Sequence, residues 1–217
     1  NADDFNIVGN HKYRKNKISF GFKNSNVDFF GDFKNINNKN HLFINGKEIY
    51  NSRLNEIMAK NMLAAYSIAH TYGINHSIIK KVFKNFNFLK GRGEQIKKNG
   101  YIIIDDTYNA NFESFKIGID MFMSIKCKGK KFLVIGDMKE LGKKNTKYHF
   151  ELGNYINNKT PEFVFSFGES IKITTSQITN KSIFVKHFTQ FKKLVDTLKE
   201  YLEKGDAIYL KASRSMK

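Results

Sequence analysis

From residue 101 onward, short apolar segments alternate with longer amphipathic segments, and this alternation limits the possible folds more than any other feature of the chain. Short apolar runs are typical of strands covered on both faces, and segments of helical period connect such strands. The predicted strands are 101–104, 131–135, 162–167, 182–185 and 207–210. The predicted helices are 112–125, 147–158, 170–178 and 188–202. This order predicts an α/β domain with a doubly wound, mostly parallel sheet.

The segment YIIIDDTYNAN at 101–111 places polar side chains directly after the first of these strands. In open α/β sheets, ligands bind beyond the carboxyl ends of the strands, and the N–H groups of a helix start favour anions. Asp106 is the strongest single candidate, because a carboxylate at a strand end can accept the hydroxyls of a ribose. Asn109 and Asn111 lie beside the predicted helix start. An N-cap role would also explain Asn111.

The first part of the chain is predicted to be rich in strands, at 18–22, 27–33 and 41–44, separated by clusters of Asn, Lys and Gly. Asn45-Gly46 is a strong signal for a two-residue hairpin turn. Two helices are predicted to follow, at 54–72 and 76–86.

On the first of these helices, a set of apolar residues recurs at steps of three and four and predicts the buried face. These residues are Ile57, Ala64, Ala65, Ile68 and Tyr72. Asn61 falls on the same face, where an amide needs hydrogen-bond partners. It would bond either to a neighbouring loop or to the edge of an adenine base.

Gly91-Arg92-Gly93 marks the predicted boundary between two domains, 1–90 and 91–217. Glycines have wide backbone freedom, and a few such residues can absorb the rotation of one domain against another. The planar guanidinium of Arg92 suits phosphate or carboxylate groups. An exposed arginine in a flexible loop is the alternative interpretation.

The formal net charge of +17 raises the question of a nucleic-acid or membrane-surface partner. The lysines are scattered, however, and are not interleaved with stacking aromatics as in a groove that follows a nucleic-acid strand. A bias towards Lys, Asn, Ile and Phe explains the charge more simply. The single cysteine, Cys127, excludes an internal disulfide and fits a reducing cytoplasm. No apolar run is long enough to span a bilayer, and we expect no secretory signal.

The glycine-containing segment GDMKELGKK at 136–144 follows a strand but does not fit a Walker phosphate loop. Such a loop needs four residues between its glycines and a Ser or Thr after its lysine. The spacing is longer here, and Lys144 follows Lys143. No GxGxxG dinucleotide fingerprint occurs either.

DDTYNAN, together with IGDMKELG from Ile135, resembles the C-terminal domain of the Mur ligases, a family of ATP-dependent amide-forming enzymes. Further strings match in the family's order along nearly the whole chain: NADD at Asn1, FG at Phe20, NMLAA at Asn61, KGRGE at Lys90, KYHFELG around His149 and KASRSM at Lys211. The branch that adds D-alanyl-D-alanine is the most similar. The resemblance implies a Rossmann-like C-terminal domain, preceded by the second half of the family's α/β ATPase domain.

The resemblance also implies roles for individual residues. It implies contacts with ATP for Asn61, Arg92, Asp106 and Tyr108, with Asn61 on the adenine and Asp106 on the ribose. It implies a substrate or closing-loop role for Asn109, Asn111, Ser213 and Arg214. His149 and Asp137 are weaker candidates for catalytic residues, since a lone helical histidine is more often structural. Ile57 and Met58 depart from the family, which usually has a histidine, often followed by Asn, at these positions.

The implied substrates are UDP-N-acetylmuramoyl-tripeptide and D-alanyl-D-alanine, with ATP and Mg²⁺, in a monomeric cytoplasmic enzyme that does not bind nucleic acid or insert into membranes. The family's NADD string lies inside its ATPase domain, so the chain is expected to lack the N-terminal domain, the phosphate loop and the metal ligands, and to be inactive alone. Two alternatives remain open. One is a sister ligase on the same scaffold, such as folylpolyglutamate synthase, and the other is a basic nucleic-acid-binding module.

Overall fold

The computed structural model describes residues 1–4, 17–37, 39–52, 56–86 and 90–216. The chain divides into two compact units, Asn1–Asn87 and Phe88–Lys217. None of the helices in the described ranges is long and apolar enough to cross a membrane.

The first unit contains a four-stranded sheet. Its strands are, in spatial order, β1 (Phe20–Gly21), β2 (Phe29–Ile36), β3 (Lys39–Ile44) and β4 (Lys47–Ser52). β1 pairs with β2 in parallel, and the other pairs are antiparallel. Asn45 and Gly46 have φ values of 48° and 75°, so the predicted hairpin turn is confirmed. β4 was not predicted, because its sequence KEIYNS is mostly polar and becomes a strand only by pairing with β3.

Two helices, α1 (Glu56–Thr71) and α2 (His76–Lys84), complete the first unit. The predicted buried face of α1 is wrong, since Ile68 and Tyr72 are 60% and 84% exposed. The buried residues of α1 are Ala59, Met62, Leu63, Tyr66 and Ser67, most of them in one core with Leu42, Ile44 and Ile49 of the sheet. Both stripes have helical spacing, and only the position of the sheet decides which of them is covered.

The second unit is built on a six-stranded sheet. Its strands are, in spatial order, β5 (Glu94–Lys98), β6 (Tyr101–Asp105), β10 (Ala207–Lys211), β7 (Lys131–Gly136), β8 (Phe163–Phe167) and β9 (Phe184–Phe188). All neighbours are parallel except β5, which pairs with β6 in an antiparallel hairpin through Asn99 and Gly100. The predicted fold class and the five predicted strands are confirmed. The polar edge strand β5 was not predicted.

Helices cover both faces of this sheet. They are α3 (Phe112–Ser124), α4 (Asn145–Asn157), α5 (Ile171–Ser176) and α6 (Phe191–Tyr201). Phe115, Ile119 and Phe122 of α3 lie in one core with buried residues of α4 and α5, whereas Leu194 of α6 lies in a second core with Phe132 and other strand residues. Successive strand residues point to opposite faces, so these two cores lie on opposite sides of the sheet.

β10 inserts between β6 and β7, although it is the last strand of the chain. In the register of the sheet, Leu210 lies beside both Asp105 of β6 and Val134 of β7. The carboxyl ends of three strands therefore meet at one edge. This topology brings Asp106, Lys211 and the residues after Gly136 to the same part of the domain.

Candidate functional site

Asp106 continues the sheet by one residue, since its N–H donates to the carbonyl of Leu210 over 2.9 Å. Its carboxylate oxygen Oδ2 accepts two hydrogen bonds from β10, one from the Tyr209 hydroxyl at 2.8 Å and one from the Lys211 ammonium at 2.6 Å. The side chain of Asp106 keeps 21% of its surface exposed. The carboxylate is thus held on one side and accessible to a ligand on the other.

The two donors are themselves immobile. Tyr209 and Lys211 are 1% and 2% exposed, and Lys211 also donates to the carbonyl of Asn109 at 3.0 Å. Burial lowers the pKa of Lys211, and the neighbouring charge of Asp106 opposes that shift. Burial raises the pKa of Tyr209 well above its ordinary value, so the phenol stays a hydrogen-bond donor.

The turn after Asp106 is held by local hydrogen bonds. The Thr107 N–H and hydroxyl both donate to Oδ1 of Asp105, at 3.1 and 2.6 Å. The side-chain oxygen of Asn109 accepts from the Ala110 N–H at 2.8 Å. Asn111 is the N-cap of α3, and it forms a reciprocal capping box with Ser114. The structure therefore gives Asn111 the N-cap role, which occupies its side-chain oxygen.

Two exposed guanidinium groups lie near one aromatic ring beside this turn. The Arg92 guanidinium carbon is 3.9 Å from the centroid of the Tyr108 ring, and that of Arg214 is 5.4 Å from it. The Tyr108 N–H also donates to the carbonyl of Gly91 at 2.8 Å. Cations are attracted to the face of an aromatic ring, and the planar fork of a guanidinium group suits phosphate oxygens. We call Arg92, Tyr108 and Arg214 the arginine–tyrosine cluster.

Asp137 is buried and its carboxylate is fully engaged. Oδ1 accepts from the backbone N–H of Ile171 at 2.8 Å, and Oδ2 accepts from the Lys139 ammonium at 2.8 Å. Its backbone carbonyl accepts from the Ser213 N–H at 3.0 Å, while the buried Ser213 hydroxyl accepts from the Lys139 N–H at 2.8 Å. Asp137 and Ser213 therefore join the segment after β7 to the segment after β10.

His149, on α4, is fully buried. Nδ1 donates to the carbonyl of Asn145 at 2.9 Å, and Nε2 accepts from the N–H of Met138 at 3.2 Å. Both ring nitrogens bond to backbone groups, which is the arrangement of a structural histidine that fastens the helix to the segment after β7.

The buried histidine predicts a pH dependence of stability. Burial lowers the native pKa of His149, so below about pH 6.5 the unfolded chain binds a proton that the native state does not. Stability is then complete above that pH and decreases as the pH falls towards the native pKa, with a limiting slope of about 1.4 kcal/mol per pH unit for each proton.

The measurement is urea denaturation of the second unit at pH 7.5 and 5.5. His149→Gln is expected to be less stable than the natural protein at pH 7.5 and to lose less stability on acidification. His187, whose pKa is also lowered by burial, is present in both proteins and adds the same loss of stability on acidification to each of them. Equal losses on acidification in the two proteins would contradict the prediction.

Asn61 lies in the first unit and is exposed, contrary to the predicted buried position. It borders a cleft of about 160 Å³. The other residues that line this cleft are Asn1, Phe20, Phe22, Lys60 and Ala64. The amide is therefore accessible to a ligand, whereas the alternative of a buried amide bonded to a loop does not apply.

Within the described ranges, no group of three or more His, Cys, Asp or Glu side chains is placed to hold a metal ion. The described residues thus offer Mg²⁺ no ligand cluster of their own.

Sequence reasoning missed Tyr209 and Lys211. The available signal was a lysine at the end of the apolar strand AIYLK, two residues after a tyrosine. Residues two apart on a strand share a face, so both side chains had to point towards one side of a covered sheet.

The family model of the Mur ligase, glutamate ligase domain matches residues 91–214. The chain is 28% identical over 214 residues to the UDP-N-acetylmuramoyl-tripeptide–D-alanyl-D-alanine ligase of Borreliella burgdorferi, covering 93% of the chain and 46% of that relative. It is 40% identical over 160 residues to the ligase of the same name from Buchnera aphidicola, covering 72% of the chain and 34% of that relative.

Among solved structures, the MurF ligase from Thermotoga maritima in complex with ADP superposes with a TM-score of 0.77 at 26% identity, covering 99% of the chain and 49% of that protein. The matched residues thus span about a third to a half of the length of these relatives. The matched family model covers the unit that carries Asp106 and the arginine–tyrosine cluster, and on this evidence the chain belongs to the Mur ligase family.

Proposed function

We propose that this chain forms the nucleotide-binding C-terminal part of an ATP-dependent ligase that adds D-alanyl-D-alanine to UDP-N-acetylmuramoyl-tripeptide. The observation that carries the proposal is the partly exposed carboxylate of Asp106 at a strand end, in the same unit as the exposed arginine–tyrosine cluster. A carboxylate suits ribose hydroxyls, and guanidinium groups suit phosphates. The names of the curated relatives support the choice of substrates.

In this proposal, residues 1–90 belong to the central ATP-binding domain and residues 91–217 form the C-terminal domain. Asp106 accepts from the ribose, Arg92 and Tyr108 contact the nucleotide, and the exposed amide of Asn61 reads the adenine edge. Asn109 and Asn111 shape the turn that borders the nucleotide. Ser213 and Arg214 belong to a segment that closes over the reactants.

The proposed reaction forms an amide in two steps. The carboxylate of the tripeptide attacks the γ-phosphate of ATP, ADP leaves, and an acyl phosphate forms. The amine of D-alanyl-D-alanine then attacks the acyl carbon, and inorganic phosphate leaves. The closing segment excludes water, which would otherwise hydrolyse the acyl phosphate. Mg²⁺ would neutralise the crowded phosphates of ATP, but the described residues provide no cluster of ligands that could hold it.

Asp137 and His149 act as supports in this proposal, because their polar side-chain atoms are occupied within the second unit. We propose a monomer located in the cytoplasm, where ATP and UDP-linked precursors occur, with no nucleic-acid partner. We expect no ligation by the 217-residue chain alone, since it spans about half the length of its relatives. Phosphate release that requires both substrates, measured on the isolated chain, would overturn this expectation.

The nucleotide contact is tested by titrating ADP into the full chain and following its amide signals by NMR. Arg92→Ala is expected to weaken ADP binding about tenfold, which corresponds to about 1.4 kcal/mol for a charge-assisted hydrogen bond. Lys90→Ala removes the same charge two residues away and is the matched control, with little expected effect. Equal weakening by both variants would mean that only the general positive charge attracts ADP, and would sink the proposed contact.

Substrate choice is tested in a chimera that carries residues 91–214 in place of the matching domain of the Bacillus subtilis relative, which is 36% identical over 160 residues. The chimera is expected to ligate D-alanyl-D-alanine. Ligation of glutamate or diaminopimelate instead would favour a sister ligase. A gel shift of the full chain with duplex DNA at physiological salt tests the basic-module alternative, and tight binding there would contradict the proposal.

A further inference from the structure

We propose that Lys211 and Tyr209 are positioning residues that hold Asp106 in the orientation that binds the nucleoside sugar. This inference rests on the proposed function. Both hydrogen bonds that the Asp106 carboxylate accepts from the described residues go to Oδ2. The other oxygen, Oδ1, is therefore the one left to accept ribose hydroxyls, and the direction in which it points is set by the two donors.

The two donors act from one rigid element. Tyr209 and Lys211 lie two residues apart on β10, so both side chains project from the same face of a strand that is paired on both sides. The Tyr209 ring stacks on Phe122 with centroids 5.6 Å apart, and the Lys211 ammonium lies 5.5 Å from the centroid of the Phe115 ring. Neither donor can follow a carboxylate that rotates away.

Lys211 is buried more deeply than its partner Asp106, and this difference indicates that the lysine has a role other than stabilising the fold. Lys211 is 2% exposed, whereas Asp106 keeps 21% of its side chain exposed. Burying an ammonium carries a large desolvation penalty, and an apolar residue of the same size commonly stabilises a protein as well or better. The chain nevertheless has a lysine here, and its ammonium also fixes the carbonyl of Asn109, in the turn that carries Tyr108.

The neighbouring helix makes room for this arrangement. A Cβ atom at Gly118 of α3 would lie 1.8 Å from the Tyr209 hydroxyl oxygen and 3.2 Å from Oδ2 of Asp106. A residue without a side chain is thus required where the Tyr209 hydroxyl meets Asp106. This is a second observation, from a different element, that the geometry around Oδ2 is built for the two donors.

The experiment compares adenosine with 2′-deoxyadenosine and 3′-deoxyadenosine as probes of the full chain, by NMR titration. The natural protein is expected to bind adenosine about tenfold more tightly than the weaker deoxy analogue, the effect of one hydrogen bond to a charged group. Lys211→Met is expected to bring that ratio close to one. Tyr209→Phe, which keeps the buried ring, is expected to lower the ratio by a factor of about three. Lys159→Met is the control, because it breaks a lysine–aspartate pair of the same 2.6 Å length at Asp120, away from the site.

Each outcome decides one question. If the natural protein does not distinguish adenosine from either deoxy analogue, the ribose contact of the proposed function is wrong, and this inference falls with it. If the natural protein prefers adenosine to a deoxy analogue and the folded Lys211→Met variant prefers it equally, the ribose contact stands and only the positioning role of Lys211 is overturned. If Lys211→Met does not fold, Tyr209→Phe decides, and an unchanged ratio in that variant overturns the inference.

Discussion

Replacing Asp106 by alanine is expected to cost about 3 kcal/mol of unfolding free energy, the lower end of the range for breaking a buried ion pair. The variant leaves the Lys211 ammonium 2% exposed, with the Asn109 carbonyl and the Tyr209 hydroxyl as its remaining polar neighbours. The expected loss lies at the lower end of that range because Asp106 itself is partly exposed. Urea denaturation at pH 7, followed by a probe in the second unit, measures the loss.

The stability of the same variant should rise with pH. Burial already lowers the pKa of Lys211, and the variant removes the carboxylate that opposes this shift. Between the lowered native pKa and the ordinary unfolded value near 10.4, the unfolded chain binds more protons than the native one, so stability rises with pH. The cost of Asp106→Ala should therefore shrink between pH 7 and pH 9.5.

Two controls separate this effect from a general loss of charge. Asp120→Ala removes the partly exposed partner of Lys159, so it should cost at most about 1 kcal/mol. The double variant Asp106→Ala with Lys211→Met should recover most of the lost stability, because no unpaired ammonium remains. If Asp106→Ala lowers the free energy of unfolding no more than Asp120→Ala does, the Asp106 carboxylate does not stabilise the buried Lys211 ammonium, and the prediction is wrong.

Replacing Gly118 by alanine is expected to destabilise the protein by about 2 kcal/mol, although alanine is the better helix former by about 1 kcal/mol. The added Cβ would lie 1.8 Å from the hydroxyl oxygen of Tyr209 and 2.8 Å from the ring carbon that carries it. Tyr209 is 1% exposed and stacked on Phe122, so the ring cannot swing aside cheaply. Overpacking therefore outweighs helix propensity.

The matched test combines Gly118→Ala with Tyr209→Phe. Removing the hydroxyl relieves the shortest contact, so the double variant should be more stable than Gly118→Ala alone by about 1 kcal/mol. Denaturation midpoints of the two single variants and the double variant form a cycle that isolates the contact. If Gly118→Ala is as stable as the natural protein, or if the effects of the two single variants simply add, the added Cβ atom does not collide with the Tyr209 hydroxyl and the prediction is wrong.

The parts of the fold that could be predicted are those with strong local signals. The five parallel strands are continuous apolar runs, and the Asn45-Gly46 turn needs positive φ values that Asn and Gly adopt readily. β4 and β5 carry no such run, because each is a polar edge strand that pairs with one neighbour. Their extended backbone is imposed by the adjacent strand.

The candidate site divides in the same way. A strand-end acid and a Gly-Arg-Gly segment are visible in the sequence, and they indicate Asp106 and Arg92 as candidates. The buried state of Asp137 and His149 was not visible, because the backbone N–H of Ile171 that donates to Asp137 and that of Met138 that donates to His149 come near only through packing. Asn61 also shows this limit, since helical periodicity does not specify which stripe of α1 the sheet covers.

The sequence by itself determined the α/β class, the order of strands and helices in the second unit, and the strand-end position of the acid at 106, since all three depend on residues close together in the chain. Tertiary structure alone decided that β10 enters the sheet between β6 and β7. That insertion brings Lys211 and Tyr209 to the carboxylate of Asp106, across about a hundred intervening residues. Contacts between such distant residues depend on strand order and register, which local hydrophobic patterns do not encode.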